Sequence, residues 1–311
     1  MTAYNREQYL AEAIESVLAS TFTHFELIIA DDCSTDRTVE IAKSYASRDS
    51  RVSIHINEKN LGDYPNRNRA ASLASGRYLK YIDSDDYIYP HGLAVIVNMM
   101  EQFPEAALGI GSLPEDAGRP YPFQLLPREA YRRHYLEAPL FLSAPLSTII
   151  KRKFFDAVGG FPGKQMVGDF ELWHILAARY PILLMPAGLV WCREHGEQET
   201  NKCRHNPLLS FSYQLISCDQ LARPECPLSQ EEKLLALRRL RRPKARLILR
   251  TMASRKPRLA FEMFRQSGLT PFELLAAFTA VPAPIRSVSQ PMSDRPSDGK
   301  WFPRFSRKLL R

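Results

Sequence analysis

The sequence predicts an α/β fold with a mostly parallel central sheet and helices on both faces. Short apolar runs alternate with helical periodicity over about the first 200 residues, which is typical of parallel strands joined by helices. Two of those runs end in clusters of aspartates. A hydrophobic content of 45% with 24% charged residues excludes a wholly disordered, collagen-like or coiled-coil chain.

The first hundred residues show the clearest alternation. Apolar runs of strand length lie at residues 25–30, 52–56 and 78–82. Helical periodicity lies at residues 5–20, about 34–46, about 66–74 and about 90–103. Asn5 is the predicted N-cap of the first helix, with Gln8 three residues later as in a capping box.

The next hundred residues are less regular. Residues 104–150 are rich in proline and tyrosine and predict an elaborated loop region, with a strand at its end over residues 146–150. A glycine turn follows, and a further helix begins at Gly168. We take residues 1–206 as one α/β domain.

Beyond this domain the pattern becomes helical and basic. We expect a helical basic region over residues 207–281, in which the helix at 231–249 kinks or splits at Pro243. Proline, serine and arginine dominate residues 282–311, which we predict to be a disordered basic tail.

The net charge of +8 is distributed unevenly. Residues 231–311 hold 19 basic and 6 acidic side chains, whereas the rest of the chain is slightly acidic. A basic tail favours an anionic partner such as a membrane surface or a polyanion, although a solvated face is an equally simple interpretation. No run of eighteen apolar residues predicts a membrane span. Five cysteines are typical of reduced thiols and favour a cytoplasmic protein.

The aspartates at the strand ends suggest a binding site. Ligands of parallel sheets lie beyond the carboxyl ends of the strands, where both acidic clusters are expected. Asp83 and Asp85 suit Mg²⁺ or Mn²⁺, which are held by one or two carboxylates together with substrate phosphates. Asp31 and Asp32 could hydrogen-bond a ribose or a base. Alternatively the acids cap the following helices, but one acid would be sufficient for a cap.

Several segments together resemble the family 2 glycosyltransferases of GT-A fold. The matching segments, in chain order, are Ala3–Arg6, Phe25–Asp36, Asn60–Gly62, Arg67–Asn68, Ser75–Asp86, Val158–Phe161, Gly168–Trp173 and Arg193–His195. The resemblance covers roughly residues 2–200. It implies inverting transfer of a sugar from a nucleotide-diphospho-sugar to a hydroxyl of a saccharide or lipid-linked acceptor, in bacterial cell-surface polysaccharide or glycolipid biosynthesis.

The resemblance also implies roles for individual residues. Asp169 takes the place of the catalytic base, which accepts the proton of the acceptor hydroxyl, and Glu171 is the second candidate. Residues implied to bind the nucleotide-sugar are Tyr4, Asn5, Asp31, Asp32, Arg67, Asp83 and Ser84. The implied ligands of a Mn²⁺ or Mg²⁺ cofactor are Asp85, Asp83 and His195.

His195 leaves two further interpretations open. It could be a structural histidine, as we expect for His134 and His174. It could also bind zinc with Cys192, Cys203 and His205, although their spacing matches no common zinc finger.

The sequence departs from the family pattern in three places. Gly168 stands where the family usually has a glutamate, and Asn66, preceded by Pro65, stands where an alanine is common. Only three residues precede Tyr4, where the family has an apolar central strand. We therefore expect the first strand to be missing, through a late start codon or because the chain is a fragment.

Two rival functions remain open. A nucleotidyltransferase on a similar sheet would need a glycine-rich phosphate loop that the first residues do not supply. A catalytically inactive binding module would act through its basic tail. Under the main hypothesis the tail docks on an anionic surface at the inner face of the plasma membrane, as a peripheral protein, and we expect no nucleic-acid partner.

Overall fold

A computed structural model describes residues 1–164, 166–196, 198 and 206–279 of the chain. The strands are β1 (Thr2–Ala3), β2 (Leu27–Asp31), β3 (Val52–Ile56), β4 (Tyr78–Leu79), β5 (Tyr87–Ile88), β6 (Leu108–Leu113), β7 (Phe123–Leu125), β8 (Thr148–Lys151), β9 (Ile182–Pro186) and β10 (Val190–Trp191).

The α-helices of the α/β region are α1 (Leu10–Leu18), α2 (Thr38–Ala46), α3 (Asp63–Leu73), α4 (Gly92–Gln102), α5 (Pro127–Arg132), α6 (Arg152–Ala157) and α7 (Gly168–Arg179). Those of the C-terminal region are α8 (Pro207–Ala222), α9 (Gln230–Ala253), α10 (Pro257–Ser267) and α11 (Pro271–Thr279).

Among the described residues the strands form two principal sheets. The first has the order β1-β2-β3 and is parallel throughout, with Leu27 opposite Val52. The second has the order β4-β8-β6-β9-β7 and is mixed, because only β6 and β9 run parallel within it. A short antiparallel pair joins β5 to β10. The predicted α/β class is confirmed, and its parallel part is concentrated at the N-terminal half.

Three details differ from the sequence-based expectation. Residues 104–150 are not mainly loop, because they contain β6 and β7, and β6 is central in its sheet. Asn5 does not cap α1, which begins at Leu10; its φ of 50° turns the chain, and its side chain accepts a hydrogen bond from the Thr35 backbone N–H. Helix α9 continues through Pro243, so the split alternative is wrong and the kink stays a prediction.

The start of the chain forms the short strand β1, parallel to β2. The Met1 amino group donates to the Ile28 carbonyl oxygen at 2.8 Å. A cavity of about 320 Å³ lies beside Met1, lined by β2 residues and by residues 78–82. A first strand is therefore present over two residues, where we expected none from the sequence.

The C-terminal helices pack on the same hydrophobic core as the second sheet. Ile216, Leu221 and Ala236 belong to one buried cluster with residues of β6 and β9. Glu232, in the first turn of α9, forms ion pairs with Arg128 and Arg132 of α5. The boundary predicted at residue 206 is therefore crossed by packing contacts and stays a prediction.

Three further expectations concern the tail, a membrane span and two histidines. The predicted disordered tail at 282–311 lies outside the described residues. Within the described part, no helix is both long and apolar enough to cross a membrane. His174 is buried in the core and half-buried His134 lies against it, and burial lowers the pKa of His174 to about 3. Both rings are therefore neutral and structural, as expected.

Candidate active site

The candidate site lies where the first sheet ends and the aspartate cluster after β4 begins. Four segments meet there: the turn after β1, helix α3, the cluster at residues 83–86 and the segment at 192–196. Ion pairs between these segments, described below, hold them together. The acids of both predicted clusters are therefore brought to one edge of the fold.

Asp32 uses both carboxylate oxygens to shape the turn before α3. Its Oδ1 accepts from the Leu61 backbone N–H at 2.8 Å, and its Oδ2 accepts from the Gly62 backbone N–H at 2.9 Å. Asn57 also donates to Oδ1. Asp31 is fully buried and accepts hydrogen bonds from the backbone and hydroxyl of Ser34. In this structure both acids hold neighbouring turns in place through hydrogen bonds.

Arg67 connects helix α3 to the aspartate cluster. Its guanidinium lies 2.7 Å from a carboxylate oxygen of Asp83 and 2.7 Å from one of Asp63, and its side chain is only 9% exposed. Burial favours the neutral form of Asp83, but the neighbouring Arg67 outweighs it and holds the pKa of Asp83 below its ordinary value. Asp83 is therefore ionised, with its charge balanced by a fixed cation.

Asp85 is held by two cationic or potentially cationic side chains. Arg6 Nε and His195 Nε2 each lie 3.0 Å from Asp85 Oδ2. The Asp85 side chain is 12% exposed, so this cluster is largely removed from water. The His195 ring also lies against Tyr9, with ring centroids 4.5 Å apart. The structure therefore brings Asp85 and His195 together, as the resemblance implies.

The segment at 192–196 covers the aspartate cluster. The Arg193 backbone N–H donates to Asp86 Oδ1 at 3.0 Å, and Arg193 Nε donates to the Asp85 carbonyl oxygen at 2.9 Å. Arg193 also forms an ion pair with Glu12 of α1. Burial, reinforced by the charges of Asp83 and Asp85, raises the pKa of Asp86 to about 7.

Asp169 stands at the start of α7 and is held by Tyr64 of α3. The Tyr64 hydroxyl hydrogen-bonds the Asp169 side chain, and the Phe170 backbone N–H donates to Asp169 Oδ1 at 2.7 Å. Burial raises the pKa of Asp169 to about 6, against the opposing effects of these hydrogen bonds and of Arg67. A carboxylate with such a pKa is largely ionised at neutral pH and is a stronger base than an exposed aspartate.

The side chains at Asp85 supply two of the ligands that a divalent cation would need. A carboxylate and an imidazole converge there, and both are ligand types that Mn²⁺ accepts. Among the described residues no group of three histidine, cysteine, aspartate or glutamate side chains surrounds one point. Asp83 is instead turned to Arg67. Substrate oxygens and water would have to complete the coordination, as is usual for Mg²⁺-type sites. Cys203 and His205 of the zinc alternative lie outside the described residues.

Comparison with known proteins identifies the family of the chain. The profile of the family described as "Glycosyl transferase family 2" matches residues 1–172, more than half of the chain. The chain belongs to this family. The resemblance inferred from the sequence motifs is thereby confirmed.

Family 2 relatives match over limited segments. The putative teichuronic acid biosynthesis glycosyltransferase TuaG of Bacillus subtilis is 42% identical over 84 residues, which cover 27% of this chain and 33% of TuaG. The glycosyltransferase GlyA of Streptococcus pneumoniae is 29% identical over 141 residues, which cover 44% of this chain and 20% of GlyA. The chain thus spans about a third or less of the length of these two relatives.

Solved structures confirm the GT-A fold of this family 2 chain. S. aureus TarS 1-349 in complex with UDP-GlcNAc matches with a TM-score of 0.59 and 19% identity, over 81% of this chain and 71% of that one. The mannosyltransferase PcManGT from Pyrobaculum calidifontis, in complex with GDP-Man and Mn²⁺, matches with a TM-score of 0.53 and 16% identity, over 89% and 84%.

The remaining predicted residues of the family 2 site take varied positions. Tyr4 is 47% exposed, and Ser84 is buried. Glu171 is buried and forms ion pairs with Lys164 and Arg223, which balance its negative charge.

Three residues contribute in ways that the sequence motifs did not predict. Arg6 pairs with Asp85, and Tyr64 with Asp169. Asn68, of the matching segment Arg67–Asn68, exchanges two hydrogen bonds of 2.9 Å with the backbone of Phe161. Side-chain pairs this distant in sequence leave no local pattern, although Arg6 directly follows the Tyr4-Asn5 motif.

Proposed function

We propose that this protein transfers a sugar from a nucleotide-diphospho-sugar to an acceptor hydroxyl with inversion, using Asp169 as general base. The observation that carries this proposal is the position of Arg67. Its guanidinium contacts Asp83 in the aspartate cluster, and its charge also acts on Asp169. One buried cation therefore connects the candidate diphosphate site to the candidate base.

The proposed reaction is a single displacement. The ionised Asp169 carboxylate accepts the proton of the acceptor hydroxyl while that oxygen attacks the anomeric carbon. The bond from that carbon to the diphosphate oxygen breaks, and the leaving diphosphate gains negative charge. Arg67 is placed to stabilise that charge, since a fixed cation in a water-poor site needs no reorganisation during the reaction.

A divalent cation is part of this proposal. Asp85 and His195 would hold Mn²⁺ or Mg²⁺, which when bound neutralises charge on the diphosphate. The Mn²⁺ complex of PcManGT, a protein of the same fold, supports this cofactor. In the geometry of this structure Asp83 would not bind the metal, because its carboxylate is paired with Arg67. Its role would be to hold Arg67 in place.

The decisive experiment measures sugar transfer and donor hydrolysis with a panel of UDP-, GDP- and dTDP-sugars in the presence of Mn²⁺. Asp169→Asn should lower the turnover number by about 10²–10⁴ while donor binding, measured by calorimetry, is unchanged. Glu171→Gln is the matched control, because it removes a buried carboxylate two residues further along the same helix. Full activity of Asp169→Asn would overturn the assignment of the base.

A nucleotide-sugar that binds without turnover in the wild type would favour the rival binding-module function. Binding to no donor at all, in a protein shown to be folded, would reject the donor class itself. The same panel identifies the nucleotide. UDP-GlcNAc and GDP-Man, the ligands of TarS and PcManGT, are the first two compounds to try.

We also propose a role in bacterial surface-polysaccharide assembly, with a saccharide or lipid-linked acceptor. The name of TuaG, a putative teichuronic acid biosynthesis glycosyltransferase, supports this setting. Radiolabelled donor supplied with membrane extracts of a polysaccharide-producing bacterium should yield a labelled lipid-soluble product. Label recovered only as free sugar would contradict the lipid-linked acceptor.

The C-terminal helices favour a location at the inner face of the plasma membrane. Three apolar side chains of α10 and α11 are strongly exposed: Phe261 at 68%, Phe272 at 80% and Leu275 at 63%. Exposed basic residues at the turn into α10 are Arg255, Lys256 and Arg258. Apolar side chains beside basic ones suit an anionic lipid surface, which attracts each basic residue by about 1 kcal/mol.

Vesicle co-sedimentation tests this membrane proposal with the full chain. The variant Phe261→Ser/Phe272→Ser should lose most binding to vesicles that contain phosphatidylglycerol. Leu126→Ser is the control, since Leu126 is also exposed, at 54%, but lies before α5. Equal binding by all three proteins, or equal binding to neutral vesicles, would contradict the proposal.

A further inference from the structure

Tyr64 makes two hydrogen bonds to the candidate base, Asp169. Its hydroxyl oxygen accepts a hydrogen bond from the Asp169 backbone N–H, and the hydroxyl itself donates to the Asp169 side chain. The Asp169 N–H lies in the first turn of α7, where helix N–H groups have no partner within the helix. One hydroxyl therefore satisfies the helix terminus and fixes the carboxylate.

The ring of Tyr64 has a fixed place. Its side chain is buried, and its ring lies against Phe161, with centroids 5.2 Å apart. Burial and the nearby carboxylates raise the pKa of Tyr64 well above its ordinary value. The hydroxyl therefore keeps its proton and remains a hydrogen-bond donor at any working pH.

Gly168 provides the space for this contact. A Cβ atom at residue 168 would lie 2.8 Å from two ring atoms of Tyr64 and 2.8 Å from the Pro162 carbonyl oxygen. Contacts shorter than 3.0 Å force a shift of one partner. Any larger residue, including the glutamate common in the family, would displace the ring. The glycine at this departure from the family pattern therefore has a physical reason.

We propose that Tyr64 is the positioning residue for Asp169, and that Gly168 is required because it lets the Tyr64 ring reach the base. This inference rests on the proposed function, in which Asp169 accepts the acceptor proton. Tyr64 touches neither substrate nor the reacting atoms in this proposal. It orients the Asp169 carboxylate, which accepts the proton.

The groups that face Asp169 determine the direction of the effect. Tyr64 and the Phe170 backbone N–H donate to its carboxylate, Arg67 attracts it, and Asp63 repels it. Hydrogen bonds to the charged form favour that form. Removing the Tyr64 hydroxyl therefore disfavours the carboxylate, while the other three groups remain.

Carbon-13 titration of the Asp169 carboxyl measures this effect without any substrate. The signal is assigned by its loss in Asp169→Asn. We expect the wild-type midpoint near pH 6 and the Tyr64→Phe midpoint about one unit higher, as for loss of one hydrogen bond to a charged group. Gly168→Ala should give the same upward shift, because the ring is displaced.

The pH profile of the turnover number provides the second measurement. In Tyr64→Phe its acid limb should move upward with the titration midpoint, and the turnover number at pH 7 should fall several-fold with the Michaelis constant for the donor unchanged. Tyr131→Phe is the matched control. It also removes a buried hydroxyl, one that donates to the His174 carbonyl oxygen, but it lies in the core.

The outcomes distinguish failure of the positioning role of Tyr64 from failure of Asp169 as the base. An unshifted midpoint in Tyr64→Phe overturns the positioning role, even when Asp169→Asn is inactive and the proposed function stands. A shifted midpoint with an unshifted activity profile overturns it as well. Retained transfer in Asp169→Asn overturns the proposed base, and the positioning role with it.

Discussion

Arg6 occupies a side of Asp85 that a divalent cation would need. The guanidinium and His195 both contact Asp85 Oδ2. A metal ion bound to this oxygen would compete with Arg6 for its negative charge, because both are cations. Replacing Arg6 with the neutral Arg6→Gln should therefore increase the affinity for Mn²⁺ in the absence of a nucleotide.

The structure sets the size of the effect. The Arg6 and Asp85 side chains are 16% and 12% exposed, and the Nε–Oδ2 distance is 3.0 Å. A hydrogen bond between charged groups contributes about 1.5–3 kcal/mol, and residual exposure to water favours the lower end. About 1.5 kcal/mol corresponds to a roughly tenfold lower Kd for Mn²⁺.

Titration of Mn²⁺ by electron paramagnetic resonance, at low ionic strength and pH 7.5, measures this Kd directly. Arg37→Gln is the matched control, since it removes the same charge from an arginine that is 70% exposed and paired with Glu40. It corrects for the general attraction of a more negative protein for cations. Asp85→Ala should abolish the site.

Two results would refute the reasoning. If Arg6→Gln and Arg37→Gln change the Kd equally, the effect is only one of net charge. If Arg6→Gln binds Mn²⁺ more weakly than the wild type, Arg6 supports the metal site instead of competing for it.

Three further predictions follow from burial and packing. Because burial raises the pKa of Asp169 to about 6, the turnover number should fall as pH decreases through 6; a profile that stays flat down to pH 4.5 would contradict this. Glu232→Gln should lower the free energy of unfolding by about 1–2 kcal/mol at pH 7, since two ion pairs are lost. The pKa of Glu232 is lowered to about 2 in the folded state, so its stabilisation is lost as pH falls, and calorimetry should find a smaller difference at pH 4. Gly92→Ala places a Cβ atom 2.2 Å from the Leu189 carbonyl oxygen, which should cost about 1–3 kcal/mol in urea denaturation; an unchanged midpoint would refute that close contact.

Short-range patterns were enough to predict strands β2 and β3 of the first sheet and the acids that follow β2. Strand β3 was predicted with the bounds that the structure shows, because residues 52–56 alternate clearly between apolar and polar. The acids after β2 and after β4 lie near one another as predicted, although β4 belongs to the second, mixed sheet and pairs antiparallel with β8.

Strand β6 was missed for a physical reason. It contains Gly109 and Gly111, which weaken any strand pattern. In the fold, Gly109 lies where a Cβ atom would be 2.8–2.9 Å from side chains of Ile149, Met185 and Met100. The glycine is there because three other elements approach this strand closely, and only the tertiary structure shows that approach.

Partner choice within the site was equally hidden. The sequence motifs predicted that Asp83 and Asp85 would act together, but each carboxylate pairs with a different cation, Arg67 or Arg6. These pairs join residues 16 and 79 positions apart. Which arginine pairs with which aspartate depends on the paths of the connecting loops. The hydrophobic periodicity of the sequence does not encode those paths.

The shared core of the catalytic and C-terminal helices has a thermodynamic consequence. Ile216 and Ala236 are buried in the same cluster as Leu184 of β9, so the two regions should unfold as one cooperative unit with a single heat-capacity peak. Any ligand of α10 or α11 that binds only the native state then raises the melting temperature of the α/β region as well. Binding of lipid to these helices would thus also stabilise the α/β region against unfolding.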